Sequence, residues 1–194
     1  MINNDINIVS DSELYSMLCK DKRIARKAFD ELYSRYSQRI YTFCLKYLGN
    51  KELAEDIFQE VFAKLHTSSQ NKLEVKNVPG FLMTVARNLC YNEYNRKKET
   101  VSLVDDYESG YSENTLENKE LGKIIEFAID TLPEHLREVV ILREYLDMSY
   151  NEISEAMKIP MSSVRVHLYR AKEKLRSILT PYLNDFEEDK NEKK

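Results

Sequence analysis

The stretch from Pro160 to Arg176 carries side chains suited to binding nucleic acid, with five Lys or Arg against one Glu. An apolar seam at helical spacing runs along it, formed by Val164, Leu168, Ala171, Leu175 and Ile178. The opposite side carries Ser162, Arg165, Val166, Tyr169 and Arg170, with Lys172 and Arg176 beside them. Because cationic groups bind phosphates and short side chains reach base edges in the major groove, the pattern favours a DNA-binding helix. The alternative is a solvated basic face on an ordinary helical bundle.

A shorter helix must position this one. Ser149 and Glu152 have the spacing of a capping box, in which the hydroxyl and the carboxylate each accept a backbone N–H. Ile153 and Met157 follow as an inward face. The helix must then break before Pro160, because proline is tolerated in the first turn of a helix and not in its middle. Two helices joined by a tight turn predict a helix-turn-helix.

A second candidate surface lies on the helix predicted from Lys51 to His66. Its inward stripe consists of Leu53, Ile57, Val61 and Leu65, widened by Phe58 and Phe62. The opposite side gathers Glu52, Asp56, Gln59 and Glu60. The pattern alone favours a solvated acidic face. The alternative is an acidic docking surface for a basic partner.

A third candidate surface follows a polar loop predicted over residues 67–79. The next helix begins with a core-facing set of Phe81, Leu82, Val85, Ala86 and Leu89. Its other side shows Arg87, Tyr91, Tyr94 and Lys98, with Asn88, Asn95, Arg96 and Lys97 close by. Aromatic rings stack on unpaired bases while cations hold phosphates, which suits single-stranded nucleic acid. Tyrosines that pack on a neighbouring helix explain the pattern equally well.

The chain of 194 residues allows one or two domains, and its four Gly and four Pro favour an all-α fold. Residues 99–118 lose helical periodicity, and residues 99–120 hold seven acidic residues and one Lys, which indicates a flexible linker. We therefore expect two small helical domains joined by this acidic linker, the C-terminal one a helix-turn-helix. The expected divisions are a polar segment with one frayed helix (1–23), a first domain (24–98), the linker (99–118), a second domain (119–180) and a disordered charged tail that starts where Pro181 ends the last helix (181–194).

Composition and spacing exclude several classes of function. His66, His135 and His167 lie on separate predicted helices without metal-ligand spacing, and no Gly-rich phosphate loop is present, so we expect no enzyme, cofactor or metal. The three cysteines form no CxxC pair and are expected to be buried in a reducing compartment. Because the chain shows neither a secretory signal nor a run of about 20 apolar residues, we expect a cytoplasmic protein without membrane insertion.

The net charge of −4 argues against a protein that simply coats nucleic acid. The charge is nevertheless uneven, since the helix after Pro160 is basic while the linker is acidic. A DNA-binding helix within an acidic chain suggests a protein that binds DNA poorly alone and needs a partner.

Three stretches resemble an extracytoplasmic-function (ECF) sigma factor, the small two-domain specificity subunit of bacterial RNA polymerase. AEDIFQEVFAKLH (54–66) looks like its core-binding helix, FLMTVARNLCYNEYNRKK (81–98) like its promoter-melting helix, and residues 129–176 like the domain that reads the minus-thirty-five element. The resemblance covers roughly residues 28–179. It implies promoter recognition, DNA opening and transcription initiation, with core RNA polymerase, promoter DNA and a cognate anti-sigma factor as partners.

The resemblance also assigns roles to residues. Docking on the clamp helices of the largest catalytic subunit falls to Asp56, Gln59 and Glu60. Capture of the minus-ten element falls to Asn77, Arg87, Asn88, Tyr91, Asn95, Arg96, Lys97 and Lys98. Reading of the minus-thirty-five element falls to Ser162, Ser163, Arg165, Val166, His167, Tyr169, Arg170 and Lys172.

Some positions depart from the pattern of the resembled family. Lys158 stands where relatives often have Gly, and Val166 and His167 replace residues that are commonly Ser and Arg. The promoter preference of relatives therefore does not transfer to this chain. A rival hypothesis, a helix-turn-helix transcriptional regulator that acts without polymerase, explains residues 122–180 equally well. It gives no account of the helices over 53–66 and 81–98.

Overall fold

The computed structural model describes the backbone of residues 9–101 and 116–192, and the side chains of residues 9–96 and 121–182. Every regular element in these ranges is helical, so the predicted all-α fold is confirmed. The chain divides into two compact units, Met1–Gly110 and Tyr111–Lys194. Most of the expected linker lies outside the described residues, and the backbone at its two edges, 99–101 and 116–118, is helical.

The first unit contains α1 (Asp11–Met17), α2 (Lys22–Leu48), α3 (Lys51–Gln70) and α4 (Val78–Val101). Each helix sends apolar side chains into one core, where Leu14, Leu32, Val61 and Leu82 are fully buried. The inward stripe predicted for α3 is confirmed for Ile57, Val61, Phe62 and Leu65. The face of α3 that carries Asp56 is therefore turned to solvent.

The helix α1 belongs to this core and is not frayed. The Ser10 hydroxyl accepts the Glu13 amide, and the Glu13 carboxylate accepts the Ser10 amide at 3.0 Å, which closes a capping box. Leu14 and Leu18 are completely buried. Burying each leucine stabilises the fold by about 1.5–3 kcal/mol, which is enough to hold so short a helix in place.

A tight connection, Gly49 and Asn50, joins α2 to α3. Gly49 adopts the left-handed conformation with φ 61°, and its N–H donates to the Leu45 carbonyl at 2.9 Å. Asn50 then caps α3, because its Oδ1 accepts the Leu53 amide at 2.9 Å. The two long helices consequently pack side by side.

The loop between α3 and α4 is shorter than predicted, because α3 continues to Gln70. Residues near the end of α1 hold this last turn: the Cys19 thiol donates to the Ser69 carbonyl at 2.7 Å, and the Gln70 amide donates to the Leu18 carbonyl at 2.9 Å. A polar run gives no sign of such a tertiary contact. The prediction of buried cysteines is wrong for Cys19, which is exposed, and is confirmed for Cys44 and Cys90.

The second unit contains α5 (Leu116–Asp130), α6 (Glu134–Val140), α7 (Tyr150–Met157) and α8 (Met161–Glu192), with a π-helical turn (Ile141–Tyr145) that continues α6. Arg137 is only 1% exposed, and its Nη1 lies 3.9 Å from Asp130 Oδ1. Burial raises the pKa of Asp130, and the neighbouring Arg137 opposes that rise. The apolar core of this unit includes Ile129, Leu132, Leu136, Val140 and Ala171.

Pro181 does not end the last helix, contrary to the prediction, since α8 continues through it to Glu192. A proline inside a helix removes one backbone hydrogen bond at a cost of about 3 kcal/mol. A helix that is already nucleated can nevertheless be extended residue by residue, and the Glu and Lys that follow are good helix formers. The tail expected to be disordered is therefore helical as far as residue 192.

Candidate functional surfaces

The turn between α7 and α8 is closed by hydrogen bonds. Ser149 caps α7, and its amide donates to the Glu152 carboxylate at 2.8 Å, so the predicted capping box is confirmed. Lys158 ends α7 in the left-handed conformation, with φ 54° and ψ 41°. The Ser154 hydroxyl then donates to the Ile159 carbonyl at 2.6 Å. The start of α8 is thus set by a helix-turn-helix and not by a flexible loop.

The exposed face of α8 brings together most of the residues predicted to read the minus-thirty-five element. Val164, Leu168 and Ala171 form the buried seam and are at most 4% exposed. On the opposite side, Val166 is 46% and Tyr169 is 68% exposed. Beside them lie the exposed Ser162, Arg165, Arg170 and Lys172 and the half-buried Ser163.

His167 points towards α6 and away from the centre of this face. Its ring meets the ring of His135 edge-on, with centroids 4.9 Å apart, and its Nδ1 is buried. Burial lowers the pKa of His167, and the nearby His135 and Arg170 lower it further. The side chain therefore packs two helices together, and sequence reasoning missed His135 because its contact is made across the fold.

Lys172 has a partner that sequence reasoning also missed. Its Nζ lies 3.1 Å from Oε1 of Glu144, on the π-helical turn. Both side chains are about half exposed, at 61% and 48%, so this ion pair adds little to stability. A phosphate bound by Lys172 would have to compete with the Glu144 carboxylate.

The acidic face of α3 is exposed along its length. Asp56, Gln59 and Glu60, the residues predicted to dock on the polymerase, are all exposed on it. Lys64 Nζ approaches Glu60 Oε1 to 3.2 Å on the same helix, a surface pair of small energy. Glu52 and Glu55 extend the exposed row of carboxylates towards the start of the helix.

Aromatic packing fixes α3 against α2 beneath this face. The rings of Phe58 and Phe62 meet edge-on with centroids 5.2 Å apart. Tyr33 of α2 packs against both, at 5.7 Å and 4.9 Å. Such aromatic pairs contribute about 0.5–1.5 kcal/mol beyond the area they bury. The acidic side chains are therefore displayed on a rigid support.

The outer side of α4 exposes part of the set predicted to bind the minus-ten element. Tyr91 is 48% exposed, whereas Tyr94 packs edge-on against Tyr47 of α2, with centroids 6.1 Å apart. One tyrosine thus remains available for stacking on a base, and the other is structural. Of the remaining set, Asn88 and Arg96 are exposed, Arg87 and Asn95 are half-buried, and the side chains of Lys97 and Lys98 lie outside the described residues.

Asn77 occupies the position of a helix cap. It precedes α4 and is exposed, and its Oδ1 accepts the Gly80 amide at 2.9 Å. A Cβ at Gly80 would come within 2.8 Å of Asn77 Nδ2. The glycine thus leaves room for the cap, and this structural role stands beside the DNA contact predicted for Asn77.

Two family models match the chain, Sigma-70 region 2 over residues 32–100 and Sigma-70, region 4 over residues 123–175. The ECF RNA polymerase sigma factor SigM of Bacillus subtilis is 29% identical over 162 residues, which are 80% of this chain and 98% of SigM. The chain belongs to the ECF family of RNA polymerase sigma factors. The ECF sigma factor SigW of the same organism is likewise 29% identical, over 81% of this sigma factor and 92% of SigW.

Solved structures support the fold of this sigma factor. The sigma factor RpoE from Bartonella quintana, solved in complex with the anti-sigma factor NepR, has a TM-score of 0.61 at 20% identity. The match covers 79% of this sigma factor and 98% of that chain. A regulator with a helix-turn-helix alone would not explain the region 2 match, so the rival hypothesis is not favoured.

Neither a membrane-spanning helix nor a metal-binding cluster is present in the part of this sigma factor that the structure describes. None of its described helices combines the length and hydropathy needed to cross a membrane. No three His, Cys, Asp or Glu side chains among those described residues converge as metal ligands would. The exposed faces of α3, α4 and α8 remain the candidate functional surfaces.

Proposed function

We propose that this sigma factor binds core RNA polymerase and directs promoter recognition, DNA opening and transcription initiation. The observation that carries the proposal is a pair of exposed surfaces of opposite character, one in each unit. The acidic face of α3 lies within the region 2 match, and the basic face of α8 lies within the region 4 match. One surface suits a protein partner and the other suits phosphates.

The first step is docking on the polymerase. Asp56, Gln59 and Glu60 contact the clamp helices of the largest catalytic subunit, and their complementary charge steers the encounter. The aromatic support beneath α3 keeps these side chains in place, which limits the entropy lost on binding. We assign this role, together with recognition of the minus-ten element, to residues 24–98.

The second step is opening of the minus-ten element. An extruded base stacks on the exposed ring of Tyr91, and Arg87, Asn88, Asn95 and Arg96 hold the strand beside it. Lys97 and Lys98 continue the cationic stretch along the sequence. Unstacking a base costs a few kcal/mol, and stacking on an aromatic side chain offsets about 1–3 kcal/mol of that cost. No covalent chemistry is involved.

The third step is reading of the minus-thirty-five element by residues 119–180. The helix α8 enters the major groove, where Arg165, Val166, Tyr169 and Arg170 face the bases. Ser162, Ser163 and Lys172 bind phosphates. His167 is placed as a packing residue at the border of this face, because its ring rests on His135.

Two further expectations follow from membership of the family. The likeness to an RpoE solved with an anti-sigma factor supports a cognate anti-sigma factor for this chain. Because it acts on promoter DNA together with polymerase, we expect this sigma factor to be cytoplasmic. The acidic stretch of residues 99–118 links the two functional regions.

Run-off transcription with purified core polymerase tests the proposal. The wild-type chain is expected to yield a transcript with one defined start. The double substitution Asp56→Ala, Glu60→Ala is expected to lower its yield about tenfold or more, because two carboxylates that contact the polymerase are lost.

The matched control is Asp30→Ala, Glu74→Ala, which removes two exposed carboxylates elsewhere in the first unit. It changes the net charge equally and is expected to keep the yield. If both double variants transcribe like the wild type, the acidic face of α3 is not the docking surface. If no promoter yields a defined start while the chain alone binds specific DNA, the sigma function itself is wrong.

A further inference from the structure

Two exposed apolar side chains, Val166 and Tyr169, form a patch at the centre of the exposed face of α8. At about 100° per residue, Ser162, Val166 and Tyr169 lie opposite the buried seam. Val166 is 46% exposed and Tyr169 is 68% exposed, so neither side chain is needed for the core of the second unit. Valine is also a weaker helix former than the straight-chain polar residues. The fold therefore gives no reason for a valine at this position.

Cations flank this apolar centre. Arg165 is exposed on one side, with its Nη2 3.5 Å from Met161 Sδ, and Arg170 is exposed on the other. Among the side chains of α8 that the structure describes, the one carboxylate on this face is Glu173, which Arg176 holds at 2.6 Å, one turn further along the helix. A helix in the major groove has phosphates on both sides and base edges at its centre. Val166 thus occupies the position that meets the bases.

Val166 selects among bases by shape and hydration, since it has no hydrogen-bonding group. Thymine is the one standard base that presents a methyl group in the major groove. The polar base edges would lose water against a valine without gaining a hydrogen bond, which is unfavourable. His167 does not supply the missing donor at this centre, because its ring packs on His135 and its Nδ1 is buried.

We propose that Val166 reads the C5-methyl group of one thymine in the minus-thirty-five element. Tyr169, three residues along the helix, borders the same apolar patch, and Arg165 and Arg170 flank that patch on its two sides. The inference rests on the proposed function, because it requires α8 to enter the major groove of a promoter. The contact gives a chemical reason for a thymine preference that relatives with a residue other than valine at this position do not share.

Replacing thymine by uracil tests the contact, because uracil lacks only the C5-methyl group. The probe is a promoter fragment selected by the holoenzyme from a library with a randomised upstream element. Each thymine of that element, on either strand, is replaced singly by deoxyuridine, and holoenzyme binding is measured. One position is expected to weaken binding about fourfold, which corresponds to one buried methyl group. The element lies upstream of the transcribed region, so the RNA product is unchanged.

Val166→Ala is expected to remove most of the uracil effect at that position and to retain the effects at other positions. Phe127→Ala is the matched control, because Phe127 is an apolar side chain of α5 that is 58% exposed. It is expected to keep the whole pattern. The proposal is overturned if every uracil is neutral or if Val166→Ala keeps the wild-type sensitivity. Defined transcription without a uracil effect rejects only the thymine contact, whereas absence of defined transcription from any promoter rejects the proposed function with it.

Discussion

His167 titrates in an environment that disfavours its charged form. Burial lowers its pKa, and His135 and Arg170 lower it further. As the pH falls, the imidazole of His167 is therefore protonated first in the unfolded chain. The contribution of the neutral imidazole to the free energy of unfolding is present above about pH 6.5 and is lost below it. We expect His135→Gln to raise the His167 pKa, as measured by NMR titration of the imidazole signals. His66→Gln, in the first unit, should leave that pKa unchanged, and an unmoved pKa in His135→Gln would contradict the ring contact.

Single residues were predictable where their effect is local. Ser149 and Glu152, three residues apart on one helix, form the expected capping box. The partners His135 and Glu144 were not predictable, because each meets α8 across the fold. A pattern of residue types along one helix reports which side is apolar. It does not report what the neighbouring helix presents at the border of that side.

At the level of elements, the turn of the helix-turn-helix contains removable strain. Lys158 has φ 54°, which costs a residue with a side chain about 1–2 kcal/mol. Lys158→Gly relieves this strain, and the greater freedom of glycine in the unfolded chain offsets about 0.4–1 kcal/mol of the gain. We expect net stabilisation of about 0.5–1 kcal/mol. Amide hydrogen exchange in α7 and α8 should slow about two- to fivefold.

Lys72→Gly is the control for this substitution, since Lys72 has the same φ of 54° in the first unit. It should slow exchange around the end of α3 and leave α7 and α8 unchanged. Unaltered or faster exchange in α7 and α8 of Lys158→Gly would show that the lysine side chain stabilises the turn through other contacts.

Hydrophobic periodicity predicts which segments are helical, but it does not predict where two of the helices end. The last turn of α3 is polar and looks like a loop, but hydrogen bonds to Cys19 and Leu18 hold it. Pro181 predicts the end of α8, but the nucleated helix continues past it. The faces of α3 and α8 were identified correctly as exposed because they depend on periodicity and not on where the helix stops.

At the level of the whole molecule, the chain has a net charge of −4. Its acidic linker approaches DNA together with its basic helix α8, because both belong to one chain. Like charges repel, so the linker should weaken DNA binding by the chain alone. Replacing Asp105, Asp106, Glu108 and Glu113 by their amides brings the net charge from −4 to 0. We expect several-fold tighter binding of promoter DNA by the isolated chain, measured by fluorescence anisotropy.

The control replaces four carboxylates of the first unit by their amides, which changes the net charge equally; they are Asp30, Glu52, Glu55 and Glu74. A smaller gain in affinity is expected there, because these residues are not in the segment that leads into the second unit. Equal gains in the two variants would show that net charge acts without regard to position. No gain in either variant would contradict the inhibitory effect of charge altogether.

The ion pair between Lys172 and Glu144 bears on how binding responds to ionic strength. A lysine that neutralises a DNA phosphate displaces a condensed cation, and the gain in mixing entropy of that ion favours association in dilute buffer. When Lys172 turns to a phosphate, the Glu144 carboxylate is left bare and gathers a cation of its own. The net number of cations released at this contact is then close to zero. Lys172 contributes attraction to the complex while adding little to its sensitivity to salt, unlike a lysine that has no carboxylate partner.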